Sequence, residues 1–408
     1  MAKRENVIVI GGGIGGVETA FAHSVKEFDV ELISDKDYLW IYPISIWIPT
    51  KEITPEECKL PLEEIAKRNN FKFTKAKVKE LKTAEKKVVV EYDDGRVEEK
   101  SYDRLVIATG GIKKKHPGIE HTLSTCGSPE EMIKIRDRYW ELIEKVKSGE
   151  KEKAVIAFGF GGNPKDPTGV RGGPVFEELF NMHYHLKKLG LRDKFKLIFF
   201  APMPKPGKRL GEKNAEKIYD FFKKIDVDYK IGVKIKEFQP DGILFEDGEK
   251  IETDITIWTA AIDGHPLYKT DPNLPLNEAG FIKIDEYCSV PGTDYTVWAI
   301  GDAAAIDGPE WRAKQGHLAE VMGRIVARNI ERLIEGRPQE MESYLPHVHI
   351  VCLMDMGNWG GILFARTHKR IVMLPLPKLG HWLKKLWAWY YKNSKLRKVP
   401  RIPGFDAP

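Results

Sequence analysis

Cysteine is scarce in this chain, and the few cysteines that occur are far apart. The 408 residues contain four cysteines, and no two of them form a Cys-x-x-Cys pair or stand at zinc-ligand spacing with histidine. Proteins held together by disulfides or by structural zinc need such clusters. The sequence therefore argues against both of these protein classes, and we expect no metal site.

Long apolar runs and a large charge excess are also missing. The sequence has no stretch of about 18 apolar residues, the length that a membrane-spanning helix needs. The first apolar strand begins so close to Met1 that we expect no signal peptide. The formal net charge is only +5, so we expect no nucleic-acid partner. With 42% hydrophobic residues, the chain is long enough for two globular domains.

Glycine, by contrast, is concentrated at one informative place near the N-terminus. The sequence VIVIGGGIGGVETA joins an apolar strand to a helix through Gly11, Gly13 and Gly16. In a dinucleotide-binding unit the first glycine allows a tight turn, the second lets the backbone approach a pyrophosphate, and the third lets the helix pack on the strand. The next strand ends at Ser34 and is followed by Asp35, so both are candidates to bind the adenosine ribose.

Two later segments are typical of FAD-binding proteins with two dinucleotide-binding domains. The strand YDRLVIATGG contains Ala108, Thr109 and Gly110, which is how such proteins return to the flavin domain. The segment YTVWAIGD contains Gly301 and Asp302, and it resembles their second FAD motif, in which the carboxylate binds the ribityl chain. We therefore predict that FAD is the cofactor and that these residues contact it.

The spacing of these motifs predicts a discontinuous first domain. We assign residues 1–114 and 291–345 to the FAD-binding domain, and residues 115–290 to a second Rossmann-like domain inserted between them. Residues 346–408 form a C-terminal region for quinone and membrane interaction.

The second domain begins with the strand AVIAFGFGG, but its glycine motif is interrupted. The residues NPKDPTGVRGGP follow, and their prolines prevent a helix from starting before about Pro174. This insertion moves the helix N-terminus away from the place where the phosphates of NAD(P)H would bind. We therefore expect no tight nicotinamide binding. The alternative is that the loop folds back and still admits the nucleotide.

The segment from Lys378 to Arg401 is rich in cations and aromatic residues and contains no Asp or Glu. On a helix its apolar residues would form one face, with the lysines toward the flanks and back. Because Trp and Tyr favour headgroup depth and lysine favours anionic lipid, this predicts a peripheral, monotopic anchor on the cytoplasmic membrane. The alternative is a helix packed on the body or on a second subunit. The apolar residues are Trp382, Leu383, Leu386, Trp389 and Tyr390, and the lysines are Lys384, Lys385, Lys392 and Lys395. A flavoprotein at a membrane suggests a quinone as acceptor.

Four segments together resemble the sulfide:quinone oxidoreductases. They are GGPVFEELFN, KQGHLAEVMGRIVARNI, VCLMDMGNWGG and the tail rich in Trp and Lys, and the resemblance covers essentially the whole chain. It implies an FAD enzyme with two Rossmann-like domains that passes electrons from sulfide through the flavin to a membrane quinone. The expected product is zero-valent sulfur or polysulfide.

The resemblance also implies roles for cysteines at the flavin. Cys352 matches the C-terminal member of the cysteine pair that holds the growing sulfur chain. Cys126 matches a position that in some members is attached to the flavin or assists sulfide entry. The other member of the pair is missing, because Arg171 or Gly172 stands in its place.

Three mechanisms remain open for this variant site. Cys126 and Cys352 form the redox pair in the first, helped by a low thiolate pKa beside Arg171 or Lys314. In the second, Cys352 works alone through a persulfide, and Arg171 stabilises the anion. In the third, the donor is not sulfide.

Further roles follow from the same resemblance. Pro43 matches a proline near the isoalloxazine ring. Lys314 precedes a helix whose N-terminus would face the flavin pyrimidine and stabilise its reduced anion, which makes Lys314 both a catalytic and a cofactor-binding candidate. The candidates to line a quinone site are Phe364, Trp359, Trp382 and Tyr390. Three histidines are either proton relays or ordinary helix residues, and these are His183, His185 and His317.

The expected fold is α/β, with two Rossmann-like domains, the first discontinuous, and C-terminal amphipathic membrane-anchoring helices. The expected activity is sulfide oxidation coupled to quinone reduction. One alternative is a membrane quinone reductase with another donor such as NADH, similar to the type II NADH dehydrogenases. Another is a non-catalytic membrane scaffold with a flavin fold. The type of quinone, the membrane face and the formation of a homo-oligomer stay open.

Overall fold

The computed structural model describes residues 4–23, 28–125, 127–357 and 360–402. The α-helices are α1 (Ile14–His23), α2 (Tyr42–Ser45), α3 (Leu62–Asn69), α4 (Pro129–Ser148), α5 (Gly173–Lys188), α6 (Glu212–Lys224), α7 (Gly316–Ile334) and α8 (Gly380–Lys395). The strands are β1 (Glu5–Ile10), β2 (Phe28–Ser34), β3 (Tyr38–Trp40), β4 (Lys59–Pro61), β5 (Lys72–Lys75), β6 (Lys77–Lys82), β7 (Lys87–Glu91), β8 (Val97–Ser101), β9 (Arg104–Ile107), β10 (Gly111–Lys113), β11 (Ala154–Phe160), β12 (Phe195–Ala201), β13 (Val227–Ile231), β14 (Ile235–Gln239), β15 (Gly242–Phe245), β16 (Lys250–Glu252), β17 (Ile255–Thr259), β18 (Ile262–Gly264), β19 (Ile282–Lys283), β20 (Val297–Ala299), β21 (Ala304–Ala305), β22 (Ile350–Gly357), β23 (Gly360–Arg366) and β24 (Ile371–Leu376).

The first sheet has five parallel strands in the order β20-β9-β1-β2-β5. Its inner strands β1 and β9 are mainly apolar. This is the pattern expected of a parallel sheet whose two faces are both covered by helices and loops. β20 follows the inserted segment in sequence and pairs with β9, so two separate parts of the chain build this sheet. The strand order changes direction at β1, and ligands bind to such sheets at the carboxyl ends beside this point.

The second sheet has four parallel strands in the order β13-β12-β11-β17. An aromatic core holds α5 against it, in which the rings of Phe176 and Phe199 stack with centroids 5.0 Å apart. α5 begins at Gly173, so residues 161–172 form a loop between β11 and α5. The interruption of the glycine motif that the prolines predicted is confirmed.

The C-terminal region is mainly a sheet, which corrects the expectation of several helices. β22, β23 and β24 form an antiparallel meander, and α8 follows it as the one α-helix in the described part of residues 346–402. Successive side chains in these three strands point to opposite sides of the sheet, so the sheet has one face toward the body and one face away from it.

Strand register divides the side chains of this meander between two faces. The inner face lies toward α5 and α6 and carries Ile350, Cys352, Met354, Ile362, Phe364 and Met373. The outer face carries Val351, Leu353, Asp355, Leu363, Val372 and Leu374. α8 packs on the outer face, where Gly361 and Gly380 touch: a Cβ on Gly361 would lie 2.7 Å from Cα of Gly380.

The orientation of α8 also corrects the predicted distribution of its residues. Lys384 and Lys395 are buried, because Lys384 pairs with Glu177 of α5 and Lys395 pairs with Glu18 of α1. Tyr390 is buried as well and does not belong to the exposed apolar face. The other four predicted apolar residues are exposed by 41–57%, and they are Trp382, Leu383, Leu386 and Trp389.

In the described part of the chain, no helix combines the length and the apolar character that crossing a bilayer requires.

Candidate active site

The glycine turn after β1 leaves an open cradle at the N-terminus of α1. Gly11 has φ +110°, a conformation that favours glycine, and a Cβ on it would collide with the backbone of Ala108. A Cβ on Gly13 would meet nothing within 4 Å, so this backbone faces open space. Gly16 lies directly against the carbonyl of Gly11, which brings α1 close to β1. A pyrophosphate fits here, because helix N–H groups point at a space that side chains leave empty.

The two ribose candidates at the end of β2 differ in exposure. Ser34 is buried, and its Oγ accepts a hydrogen bond of 3.2 Å from the N–H of Lys36. Asp35 is exposed. Of the two, Asp35 is the one that is open to a ligand.

The segment after β9 crosses the same edge of the sheet. Ala108 donates its N–H to the carbonyl of Ile10 at 2.8 Å. The Tyr268 hydroxyl donates to the carbonyl of Gly110 at 2.7 Å and lies 2.8 Å from Oγ1 of Thr109. Tyr268 was not predicted, because a tyrosine outside any motif gives no sequence signal for this contact.

Asp302 stands on a 3₁₀ turn at the carboxyl end of β20. The turn begins at Gly301, which has φ +60°. The carboxylate of Asp302 forms an ion pair with Arg171 from the loop between β11 and α5. The structure thus brings the predicted ribityl ligand together with Arg171, one of the two residues predicted at the position of the missing cysteine.

Lys314 is buried beside this ion pair and is not a solvated lysine. Its Nζ donates to the carbonyl of Ala304 and lies 4.0 Å from the ring centroid of Phe281. Burial lowers its pKa to about 8, although the nearby carboxylates of Asp302 and Asp166 oppose the shift. Lys314 therefore carries a charge that is sensitive to pH in the alkaline range.

The predicted proline lies close to the same helix end. Pro43 is in α2, and its neighbour Tyr42 accepts a hydrogen bond of 3.2 Å from the N–H of Gly316, the first residue of α7. This contact connects the Pro43 segment to the turn that holds Lys314. Sequence analysis did not identify Tyr42, because the contact joins segments that are remote in sequence.

Cys352 lies on the inner face of β22, beside the residues that precede α7. It packs against Ala313 and Phe364, and the N–H of Val351 donates to Oε1 of Gln315 at 3.4 Å. The expectation of a low thiolate pKa is wrong. Burial and the negative charge of Glu177 raise the pKa of Cys352 to about 12, and the opposing effect of Lys384 is smaller.

The remaining cysteines add nothing to this site. Cys126, together with the quinone candidate Trp359, lies outside the described residues. Cys58 and Cys288 are fully buried, and burial raises the pKa of each thiol. We therefore regard both as packing residues, as expected.

The described quinone candidates do not share one pocket. Phe364 is buried on the inner face and lines a cavity of about 340 Å³ between the meander, α5 and α6. Trp382 is on the exposed side of α8. Tyr390 is on the buried side, where its hydroxyl accepts a hydrogen bond of 2.6 Å from the N–H of Ile402.

A polar network at the edge of β22 escaped the sequence analysis. Asp355 is buried and accepts hydrogen bonds from Nε1 of Trp47 at 2.6 Å and from Nδ1 of His381 at 2.8 Å. Its N–H donates to Oε1 of Glu177 at 2.7 Å, and the same oxygen accepts from Lys384. Among the four lysines of α8, nothing in the sequence marked Lys384 as the one that would be buried with His381.

The histidines of α5 behave as ordinary helix residues. Burial and nearby cations lower the pKa values of His183 and His185 to about 4. Nδ1 of His183 accepts from Arg192, and Nδ1 of His185 contacts the Tyr139 hydroxyl. Burial also lowers the pKa of His317.

Comparisons with known proteins agree with this architecture. The model of the family "Pyridine nucleotide-disulphide oxidoreductase" matches residues 5–325. The sulfide-quinone reductase of Aquifex aeolicus is 26% identical over an alignment that covers 100% of this chain and 94% of that protein. The type II NADH:quinone oxidoreductase of Mycobacterium tuberculosis is 24% identical, with 84% and 76% covered. The X-ray structure of the Aquifex aeolicus sulfide:quinone oxidoreductase superimposes with a TM-score of 0.85 at 21% identity, covering 98% of this chain and 94% of that one.

Proposed function

The chain belongs to the pyridine nucleotide-disulphide oxidoreductase family, and we propose that it oxidises sulfide at Cys352 and reduces a membrane quinone. It is an FAD-binding, quinone-linked oxidoreductase, in agreement with both of its relatives described above. The donor, sulfide, and the residue at which the donor reacts are the new parts of this proposal.

The position of Cys352 carries the proposal. Its side chain is on the inner face of β22, next to the turn of Lys314 and the N-terminus of α7. Side chains one residue away on β22 point to the outer face, where α8 packs. We therefore propose that sulfide reaches the cofactor from the inner face of β22 and that the quinone reaches it from the outer, lipid-facing side.

When FAD is bound, it supplies the step that accepts two electrons from sulfur and passes them to a quinone. At Cys352, the thiol and one hydrosulfide ion form a sulfur–sulfur bond, which gives a persulfide anion, two protons and two electrons. The two electrons and two protons convert one quinone to a quinol. Transfer of the outer sulfur to a second hydrosulfide ion breaks the sulfur–sulfur bond at Cys352 and releases the hydrodisulfide ion, HSS⁻, the shortest polysulfide. The Cys352 thiolate left behind takes up one proton from solvent and returns to the thiol, as its raised pKa favours.

The charges around the turn suit a bound flavin. Arg171 pairs with Asp302, and the same carboxylate is an electrostatic neighbour of Lys314. A reduced flavin is negative, and preorganised cations lower its free energy. Of the mechanisms above, we propose the one in which Cys352 works alone, with Arg171 near the flavin.

An exposed apolar surface supports membrane attachment and quinone access. We define the apolar surface as the exposed residues Val351, Val372 and Leu374 of the outer face together with Leu379, Trp382, Leu383, Leu386 and Trp389 at α8. α8 packs on the outer face of the meander, so both groups of residues lie on the same side of this sheet. Exposed apolar residues collected on one side mark interaction sites, and the aromatic side chains suit headgroup depth. We therefore propose peripheral attachment to an anionic membrane.

The loop between β11 and α5 supports a donor other than NADH. Asp166 accepts from the N–H of Thr168 at 2.9 Å and from Nδ2 of Asn277 at 2.8 Å. The carbonyl of Thr168 accepts from the N–H of Lys314 at 3.3 Å. The loop is thus fixed against the flavin domain. Nicotinamide binding would require the N-terminus of α5 directly after β11, and here the loop separates the two.

The test is anaerobic visible absorption of the purified protein. We expect sulfide to bleach the flavin band, NADH to leave it unchanged, and a soluble quinone to restore it. Replacing Cys352 by Ala should abolish bleaching by sulfide while FAD stays bound. The matched control is Cys58→Ala, which removes a buried thiol elsewhere and should leave bleaching intact.

Two outcomes would contradict parts of the proposal. Bleaching by NADH alone would show that the donor is nicotinamide, and unimpaired bleaching by sulfide in the Cys352 variant would eliminate this residue. Loss of bleaching in Cys126→Ala to the same extent as in Cys352→Ala would favour the mechanism with a cysteine pair over Cys352 alone.

A further inference from the structure

The burial of Lys384 and Lys395 raises the question of which cations meet anionic lipid. Both lysines are engaged with buried carboxylates, so they are not available to a membrane surface. Lys385 and Lys392 are also in α8, and a separate group of cations follows the helix, which ends at Lys395. Arg397, Lys398 and Arg401 of this group line a second cavity, which lies apart from the active site.

This cavity lies between the C-terminal end of α8 and the end of α1. It has a volume of about 420 Å³, and its walls include Phe21, Ser394, Arg397, Lys398 and Arg401. This volume is within the range of small-molecule sites. Arg397 has φ +50°, and the sharp turn at this residue directs the chain back across α1. The turn is what places three cations around one hollow.

Two of the cations are held in place by contacts with the body. The guanidinium groups of Arg397 and Arg401 lie 5.3 and 4.4 Å from the ring centroid of Phe21. Nε of Arg397 donates to Oδ1 of Asn69 at 2.7 Å. Because this amide oxygen is a neutral acceptor, the contact does not compensate the charge of Arg397. The site is therefore preorganised, which reduces the entropy cost of binding.

Positive charge exceeds negative charge around the cavity. Arg401 pairs with Glu18, and Glu18 and Glu320 are the carboxylates of the adjoining buried cluster. Arg324 and Lys395 also pair with this cluster but do not line the cavity, whose cations among the described residues are Arg397, Lys398 and Arg401. Because Glu18 offsets only the charge of Arg401 among these three, Arg397 and Lys398 leave an excess of positive charge at the cavity. This excess suits a bound anion, and guanidinium groups match the geometry of phosphate oxygens.

The cavity adjoins the apolar surface, and this identifies the source of the anion. Trp389 is exposed by 54%, and its carbonyl accepts from Nδ2 of Asn393, one turn further along α8, at 2.7 Å. The carbonyl of Asn393 accepts from the N–H of Lys398 at 2.9 Å, so the last turn of α8 connects Trp389 to the cavity. Ile402, directly after the cavity, is exposed by 47%. Cations that stand beside exposed apolar residues lie at headgroup depth when the apolar residues enter a membrane.

We propose that the cavity formed by Arg397, Lys398 and Arg401 binds the phosphate of an anionic phospholipid headgroup. The proposal rests on the membrane attachment inferred above and adds a discrete site to it. A phosphodiester with one negative charge is the chemistry that the cavity recognises, and this chemistry also occurs in soluble phosphate esters. Continuity with the apolar surface favours the lipid.

The experiment compares binding to phosphatidylcholine vesicles with and without phosphatidylglycerol, using the full-length protein with FAD. One basic residue near an anionic surface contributes about 1 kcal/mol, or about fivefold in affinity. We expect Lys378→Ala to lose about fivefold of the preference for phosphatidylglycerol, and Arg397→Ala/Lys398→Ala to lose clearly more than the roughly 25-fold that two nonspecific charges would account for. Lys378 is an exposed lysine at the other end of α8 and serves as the control for nonspecific attraction. Binding to pure phosphatidylcholine and the flavin spectrum should not change.

A second measurement uses soluble ligands and keeps the site testable on its own. Glycerophosphoglycerol, the headgroup without acyl chains, should raise the Tm of the wild type and not that of the double variant. Equal loss per charge in the double variant and in Lys378→Ala would overturn the discrete site. Stronger stabilisation by inorganic phosphate than by the headgroup would overturn the lipid assignment in favour of a free anion. If the wild type bound no vesicles while the headgroup still raised its Tm, the membrane attachment would fail and the anion site would stand.

Discussion

At the scale of single residues, Glu177 and Glu178 are neighbours on α5 with opposite surroundings. Glu177 is buried and paired with Lys384. Glu178 is fully buried, and neither of its carboxylate oxygens has a hydrogen-bond partner. Burial raises the pKa of Glu178 well above its ordinary value, which favours the neutral acid over the carboxylate.

We predict that replacing these two residues by Met changes stability in opposite directions. Glu178→Met removes a buried polar group that lacks a partner and should raise the free energy of unfolding by about 1–3 kcal/mol. Glu177→Met leaves Lys384 buried without its partner and should lower it by about 3–5 kcal/mol. Guanidinium denaturation measures both. A loss of stability in both variants would show that Glu178 has a compensating interaction.

The charge of Lys314 should control the reduction potential of the flavin as a function of pH. Its pKa is lowered to about 8, so the ammonium is present at neutral pH and is lost as the pH rises through 8. We expect Lys314→Gln to lower the potential at pH 7 by about 30 mV, which is about 1.4 kcal/mol for a two-electron couple. The difference from the wild type should shrink above pH 9.

Two variants serve as controls in this titration. Lys314→Arg keeps its charge at high pH and should retain the higher potential there. Lys283→Gln removes an exposed lysine and should have no effect. A constant difference between Lys314→Gln and the wild type across the pH range would argue against titration of Lys314.

At the scale of elements, α8 is fixed to the body by a histidine between two carboxylates. Nε2 of His381 lies 2.8 Å from Glu52, and Nδ1 lies 2.8 Å from Asp355. These carboxylates raise the pKa of His381 to about 9, although burial opposes the shift. His381 is therefore an imidazolium at neutral pH and connects α8 to two other segments of the chain.

This clamp predicts how stability depends on pH. Because the folded pKa is raised from 6.5 to about 9, the contribution is complete below 6.5 and is lost as the pH rises through 9. We expect the Tm of the wild type to fall more steeply between pH 7 and pH 10 than that of His381→Gln. The difference should correspond to about 2 kcal/mol. His121→Gln, at an exposed histidine, is the control. Parallel curves for wild type and His381→Gln would show that the imidazolium does not stabilise α8.

The parts of the candidate site that could be predicted from the sequence are those whose geometry depends on residues adjacent in the chain. Gly11, Gly13 and Asp302 lie at strand ends whose neighbours in sequence determine their geometry. The late start of α5 followed from its prolines for the same reason. By contrast, the helical spacing of α8 could not separate exposed lysines from buried ones. The carboxylates that bury Lys384 and Lys395 belong to α1, α5 and α7, and only the tertiary fold brings them there.

The pKa of Cys352 could not be predicted for a similar reason. Arg171 and Lys314 suggested a low pKa, but Arg171 pairs with Asp302 and Lys314 donates to a carbonyl. The thiol instead meets apolar side chains from three remote segments. Desolvation of the thiol determines the direction of its pKa shift, and the residue pattern along β22 does not reveal how deeply Cys352 is buried.

At the scale of the whole molecule, the apolar surface stands out on a body that is otherwise rich in charge. Charged residues make up 31% of the chain, yet Lys378–Arg401 contains no Asp or Glu. Deleting α8 would be a poor test of this surface. It would remove Lys384 and Lys395 and leave the buried carboxylates of Glu177 and Glu18 without these partners.

Substitutions on the exposed side of α8 test the surface without this complication. We expect Leu386→Glu/Trp389→Glu to weaken binding to vesicles by tenfold or more, since each side chain contributes about 1 kcal/mol when it enters the interface. The Tm should stay unchanged, because both residues are more than half exposed. Val97→Glu alters an exposed valine of β8 and is the control. Unchanged binding in the double variant would mean that another surface holds the protein at the membrane.

The alternation of side chains along β22 also limits how this strand can change in length. Cys352 faces inward and Asp355 faces outward because they are three positions apart, an odd number. Inserting or deleting one residue between them would exchange the two faces for everything that follows. Asp355 would then point into the core, and His381 would lose its anchor. Between Cys352 and Asp355 the strand therefore tolerates changes of length only in steps of two, whereas the register shift that the strand does contain lies beyond this interval, between Asp355 and Gly357.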